Sequence, residues 1–373
     1  MEAPLDSLDQ EACYRAVLTR DARFDGRFFG CVKTTGIYCR PVCPARTPRR
    51  ENMSFVLTAA AAEEAGYRAC LRCRPETAPD LGAWRGTSNT VSRALSLIEA
   101  GALDGDAGGD VETLAGRLGV GERQLRRLFG QHLGAAPVSV AQTRRVLLAK
   151  QLIHETDLPM AEVALAAGFG SVRRFNETFQ SLYGRSPSEL RRHREKAGAA
   201  GVRLGLTYRE PYDREAILEA LKARGDAVEG RRWSRRLCRE TDGSEGRVEA
   251  VFGKPGRLEV TVEAGDIRIL PGVLARVRRV FDLSADPDAI GRDLGRDPRL
   301  AALIEARPGL RLPGLWIDAG EDAPSDRAPD GLDAATLARM EAWRPWRAYG
   351  AVHLSTAGLT AKDLERDDEK HAA

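Results

Sequence analysis

Apolar and polar positions along the chain fall into blocks of different period. From Val91, the apolar residues Val91, Ala94, Leu95 and Ile98 keep helical spacing. The glycine- and aspartate-rich stretch 101–110 stops that helix, and Asp110 is placed to cap the next one. Residues 111–121 followed by 122–129 read as a helix, a glycine-bearing turn and a basic second helix. The same pattern returns in 159–170 and 171–179, with Ala164 and Gly168 suited to close packing and a turn. Between the two units, 140–154 predicts one long helix that holds them at fixed separation. Beyond Gly201 the period changes to two. The stretch 203–213 opens with the alternation of a strand and 214–224 predicts a helix; 248–252, 257–262 and 267–270 predict further strands, followed by a helical run from Val273 to Leu283. Prolines 75 and 79 close the block that precedes all of this.

Composition sharpens the picture only locally. The 373 residues suffice for two to four domains, and no run of eighteen apolar residues suggests a membrane span. Net charge is +3, too small to argue for a polyanionic partner over the whole chain. Between Ala115 and Lys196, however, fourteen Lys and Arg face seven Asp and Glu, so the basic excess is concentrated in the helical block. Glu2, Asp6 and Asp9 follow Met1 where a leader would be basic and then apolar, which predicts a cytoplasmic protein.

The candidate chemistry lies before the helical block. Four of the seven cysteines form two tight pairs, Cys39-x3-Cys43 and Cys70-x2-Cys73, the spacing with which a chain closes a four-thiolate site around one zinc ion. Two disulfides or four unrelated buried thiols are the alternative, disfavoured in a reducing compartment. Cys31, among Phe28, Phe29 and Val32, predicts a core residue, and Cys13 also stands outside the paired spacing.

The surroundings of these cysteines carry a resemblance. Residues 23–29 lead into Lys33-Thr34-Thr35-Gly36-Ile37-Tyr38-Cys39-Arg40-Pro41-Val42-Cys43, and Gly66-Tyr67-Arg68-Ala69-Cys70 follows. Over residues 1–76 the chain closely resembles the Ada-type methylphosphotriester-DNA methyltransferases. The resemblance implies that Cys39 accepts the methyl group while Cys39, Cys43, Cys70 and Cys73 hold Zn2+. It also implies DNA-backbone contacts from Thr35, Arg46 and Arg68. A zinc-held thiolate stays deprotonated at neutral pH and can attack a methyl carbon whose leaving group is a phosphodiester anion. Methylating one of four thiolates changes the formal charge of such a site from about −2 to about −1, which lowers repulsion from DNA.

Residues 88–194, including the closing run Phe179-Gln180-Ser181-Leu182-Tyr183-Gly184-Arg185-Ser186-Pro187, resemble the AraC-type DNA-binding domain. Candidate base readers are Arg123, Gln124, Arg126 and Arg127 in the first recognition helix, and Ser171, Arg173, Arg174 and Asn176 in the second. Contact with phosphate or solvent alone is the alternative for about half of them. Arg209-x-Pro211-Tyr212, residues 278–287 and Pro313-Gly314-Leu315-Trp316 resemble the TATA-binding-protein-like N-terminal part of 3-methyladenine DNA glycosylase II, over 203–316. In that family a catalytic helix-hairpin-helix region follows at once. Here an acidic linker, 317–331, stands in its place, and the pattern resumes only in 332–373 with Trp343-Arg344-Pro345-Trp346. Asp318, Asp322 and Asp326 of the linker lack the rigid shell that a catalytic carboxylate needs.

The fold expected is multidomain α+β: a small zinc-binding α/β module, an all-α double helix-turn-helix domain, and an α+β TATA-binding-protein-like layer with a remnant C-terminal helix. The function expected is an alkylation sensor that transfers one methyl group irreversibly to Cys39 and activates transcription, with double-stranded DNA and RNA polymerase as partners and no glycosylase activity. No Pro-Cys-His-Arg word occurs, so alkylguanine repair is not expected. A zinc-stabilised transcription factor without methyl transfer, and a glycosylase fusion with residual activity, are the other readings. On this division of labour, removing residues 203–373 leaves methyl transfer intact.

Overall fold

The computed structural model describes residues 8–79, 89–105, 110–191, 201–238, 245–316 and 340–359. The N-terminal block is built on a four-stranded sheet of β1 (Phe29–Val32), β2 (Ile37–Cys39), β3 (Met53–Val56) and β4 (Arg68–Ala69). The order is β3-β1-β2-β4, antiparallel except for the β2–β4 pair. Alternation along the sheet sends Phe28, Val32, Met53 and Phe55 to one face, under helix α1 (Gln10–Thr19). Phe29, Cys31 and Tyr38 go to the other, under α2 (Ala59–Glu64) and against Leu147 of the helical block. Burial pushes the Cys31 thiol up to about 12 and the Cys13 thiol up to about 11, so neither ionises near neutral pH.

The helical block contains α3 (Asn89–Glu99), α4 (Val111–Arg117), α5 (Glu122–Leu133), α6 (Pro137–Glu155), α7 (Met160–Ala166) and α8 (Val172–Tyr183). Asp110 does cap α4, accepting from the Thr113 N–H at 2.7 Å. The central helix is longer than its apolar pattern predicts because Pro137 sits at its first turn, where a missing N–H costs nothing. The two helix-turn-helix units are locked together by Asp104. Its carboxylate accepts from Arg144 at 2.8 and 2.9 Å, and the neighbouring Gly105 N–H bonds the Gly168 carbonyl. Gly168 has φ +91°, and a Cβ there would lie 2.3 Å from that carboxylate, so glycine is required twice over.

The third block is a five-stranded antiparallel sheet, β5 (Val202–Thr207), β6 (Ala227–Glu229), β7 (Arg232–Cys238), β8 (Glu245–Phe252) and β9 (Arg257–Glu263), in the order β5-β9-β8-β7-β6. With it are α9 (Arg214–Ala223), α10 (Leu270–Val280), α11 (Pro287–Leu294) and α12 (Pro298–Ala306). Two expectations are corrected here. Residues 267–270 form no strand: Asp266 caps a 3-10 turn at Ile267–Ile269, and α10 starts at Leu270 with Pro271 in its first turn. Strands β6 and β7 were not expected, because β7 reads Arg-Trp-Ser-Arg-Arg and only Trp233 of that run is buried. Cross-strand pairing with β8, from Arg232↔Val251 to Cys238↔Glu245, makes it a strand.

A closing helix, Arg347–Thr356, packs on α12. Trp343, Trp346 and Tyr349 donate to Asp297, Asp293 and Asp282 at 3.0, 3.0 and 2.5 Å. The remnant predicted for 332–373 therefore has, in 340–359, a buried core of its own with α11 and α12. The largest core is continuous from Val146, Phe175 and Phe179 of the helical block to Leu204, Trp233 and Val260 of the sheet.

Candidate metal centre and nucleic-acid interface

Strand β2 delivers Cys39 at its last residue, and the turn after it returns Cys43, whose N–H bonds the Arg40 carbonyl at 3.1 Å. The parallel β2–β4 pair places Ala69 beside Tyr38 and so brings Cys70 alongside, with its N–H on the Tyr38 carbonyl at 3.0 Å. Cys73 follows within one turn. The four sulfurs all lie within 4.8 Å of one another. The donor set, four sulfurs from two turns, is the one that suits tetrahedral zinc, and it fits one zinc ion. Without a cation, contact with Cys43, Cys70 and Cys73 and burial push the Cys39 thiol up; a dication reverses that balance.

The four sulfurs are not equivalent. Cys73 accepts the Arg40 backbone N–H at 3.4 Å and Cys70 accepts that of Arg72 at 3.4 Å. Cys39 is half-buried where the other three are buried. Cys39 is therefore the most accessible of the four sulfurs. Beside it, the Arg40 guanidinium is fixed by Asp25, by the Cys73 carbonyl at 3.2 Å and by the Thr77 hydroxyl at 2.6 Å.

Of the three expected backbone contacts, Thr35 is exposed in the β1–β2 turn and Arg68 is half-exposed on β4; the Arg68 N–H bonds the carbonyl of Gly36, next to Thr35. Arg46 is exposed three residues past Cys43. On α5, Arg123, Gln124, Arg126 and Arg127 are all exposed, opposite the buried Leu125 and Phe129. On α8, Arg173, Arg174 and Asn176 are exposed opposite Phe175 and Phe179. Ser171 differs: its hydroxyl caps α8, accepting from the Arg174 N–H at 3.2 Å. Arg126 pairs with Glu122 at 2.6 Å and Arg173 with Glu177 at 2.8 Å, exposed pairs screened by water and easily exchanged for phosphate.

Pattern reading missed Arg40 and Asp25. Arg40 lies inside the quoted cysteine motif, but its partner is fifteen residues away, and only the folded loop shows the pair. Asp318, Asp322 and Asp326 lie outside the described residues. Among the described residues no helix is long and apolar enough to cross a membrane.

Three family models match the chain: the metal binding domain of Ada over residues 12–76, a helix-turn-helix domain over 114–193, and the AlkA N-terminal domain over 203–317. A Mycobacterium tuberculosis protein named probable bifunctional transcriptional activator/DNA repair enzyme AlkA is 40% identical over 370 residues, covering 94% of this chain and 72% of that protein. The Escherichia coli bifunctional transcriptional activator/DNA repair enzyme Ada is 33% identical over 162 residues, 43% of each chain. A solved structure of the DNA methyl phosphotriester repair domain of E. coli Ada is 48% identical over 18% of this chain and 74% of its own, with a TM-score of 0.18.

Proposed function

Because the chain belongs to the family of bifunctional transcriptional activator/DNA repair proteins that join an Ada metal-binding domain to a helix-turn-helix block and an AlkA N-terminal domain, we propose that it is a single-turnover DNA methyltransferase and a methylation-dependent activator. The observation that carries this reading is the asymmetry of the sulfur cluster, in which Cys39 is half-buried while Cys43, Cys70 and Cys73 are buried. Bound zinc would be held by Cys39, Cys43, Cys70 and Cys73 and would keep their sulfurs ionised at neutral pH.

In the proposed step, the Cys39 sulfur attacks the methyl carbon of a DNA methylphosphotriester. The S–C bond forms as the C–O bond breaks, and its electron pair leaves on the phosphate oxygen as a phosphodiester anion. The product is a thioether, whose S–C bond is stable in water at neutral pH, so each chain reacts once. Thr35, Arg46 and Arg68 are read as backbone contacts. Loss of one negative charge from the cluster then strengthens attraction to DNA, while exposed residues of α5 and α8 read the operator and RNA polymerase is recruited.

The regions proposed for these tasks are 1–76 for acceptance, 88–194 for operator binding, 203–316 as an AlkA-like layer, 317–331 as linker and 332–373 as remnant and tail. Base excision is read as lost, because the acidic linker follows Trp316 directly. Mass spectrometry of zinc-loaded protein after incubation with methylphosphotriester DNA tests the proposal. A 14 Da increment on the Cys39 peptide is expected, taking about one methyl per chain. No increment with zinc bound would leave a zinc-stabilised transcription factor as the better account.

A further inference from the structure

The loop that carries Asp25 is gripped from a distant part of the chain. At one end Arg209, which precedes Pro211 in the third block, donates to the Arg23 carbonyl. At the other, Arg27 donates to Asp286 at 2.8 Å and approaches Asp288 at 3.4 Å. Arg209 also reaches Asp286 at 3.4 Å and Asp288 at 3.3 Å, closing the set. Arg209 and Asp286 are 5% and 7% exposed, so this is a buried ionic contact between segments about 260 residues apart. From the middle of the same loop Asp25, 7% exposed, takes both arms of the Arg40 guanidinium, and Arg40 is covalently next to Cys39.

Buried ion pairs are weak sources of net stability, since desolvation roughly cancels the attraction. What they impose is geometry, because each charge has one low-energy arrangement once water is excluded. An apolar contact would have stabilised this junction at least as well. A charged one fixes where the 23–27 loop lies, and thereby where Asp25 holds Arg40.

We propose that the AlkA-like region positions the methyl acceptor: Arg209 and Asp286 hold the 23–27 loop, and that loop sets Arg40 and the Cys39 sulfur against the incoming phosphotriester. This rests on the reading of Cys39 as the acceptor. Arg209, Asp286 and Arg27 are positioning residues, since none of them touches the sulfur cluster. The region that lost its place in base excision thus serves the transfer reaction.

Two full-length variants test it, Asp286→Asn and Arg27→Gln. Asparagine is as good an N-cap as aspartate, so the first removes a charge and still caps α11. With zinc retained at one per chain, the rate constant for transfer at saturating methylphosphotriester DNA is expected to fall about tenfold. The DNA concentration for half-maximal rate should move by less than about twofold, the mark of a lost reacting geometry rather than lost binding. Amide exchange in the Cys39–Cys43 peptide should quicken by a similar factor while that of α5 and α8 stays unchanged. Arg27→Lys should recover most of the rate. Wild-type rate and exchange in both variants would overturn the proposal, and so would faster exchange spread over the whole chain, which marks a general stability element. A wild-type chain that takes up no methyl would sink the acceptor reading instead, and the exchange pattern still decides the positioning.

Discussion

Residues of opposite charge are buried together at the junction of the zinc module with α6. The Lys150 ammonium, 0% exposed, lies 2.8 Å from Glu76, whose other oxygen meets Arg74 at 3.0 Å. Burial pushes the Glu76 carboxyl up, and Lys150 and Arg74 more than offset this, leaving it below its ordinary 4.5. Its contribution is therefore complete above pH 4.5 and is lost as pH falls through the lower folded value. Lys150→Met leaves that carboxylate buried with a weaker partner and should cost about 3–5 kcal/mol in urea unfolding at pH 7. Adding Glu76→Leu should recover most of the loss; a double variant as unstable as the single would mean that the pair is held by something other than mutual compensation.

Among the secondary elements, those with a strong internal period were legible in the sequence and those made by their neighbours were not. Helices α3 to α8 announce themselves through apolar spacing, caps and turn glycines, as do the strands β8 and β9, where Val248, Ala250, Val260 and Val262 alternate inward. Strand β7 could not be read, because its arginines carry no burial signal and its pairing with β8 shows only in the fold. Likewise the four cysteines were legible by spacing, whereas Asp25, Arg209 and Asp286 belong to the site only through the folded path of the chain. The closing helix illustrates a second effect of context. His353 on it is 4% exposed, and burial pulls its imidazole from 6.5 down to about 4. The unfolded chain takes up that proton first, so stability is full above pH 6.5 and declines as pH falls toward 4, by at most about 3 kcal/mol. Burial raises the nearby Asp282 carboxyl to about 6, which gives the opposite slope over the same range. Replacing His353 by Leu should leave Asp282 unopposed: the unfolding temperature of the variant, relative to wild type, should rise between pH 7 and pH 4. A constant difference across that range would mean that His353 titrates alike in the folded and unfolded chain.

The whole molecule is more tightly joined than a string of three modules. Because one core runs from α6–α8 into the five-stranded sheet, removing residues 203–373 does more than delete an appendage. It uncovers the faces of α6 and α7 that meet β5 and the 267–269 turn, and each large apolar side chain laid bare there costs about 1.5–3 kcal/mol. A few of these equal the 5–15 kcal/mol that domains typically possess. The truncated chain should bind zinc but lose cooperative melting of α7 and α8 and weaken in operator binding, measured by calorimetry and gel shift. Wild-type melting and affinity in that chain would contradict a shared core.

Glu155 gathers these connections at one carboxylate. It accepts from Arg74 of the zinc module at 3.1 Å, from Arg257 of the sheet at 2.9 Å, and from the Gly205 N–H at 3.0 Å, while itself belonging to α6. Such a residue makes the three regions a matched set in inheritance. A recombination event that exchanges one of them must bring compatible partners for a buried acid, so positions 74, 155 and 257 are expected to change together or not at all.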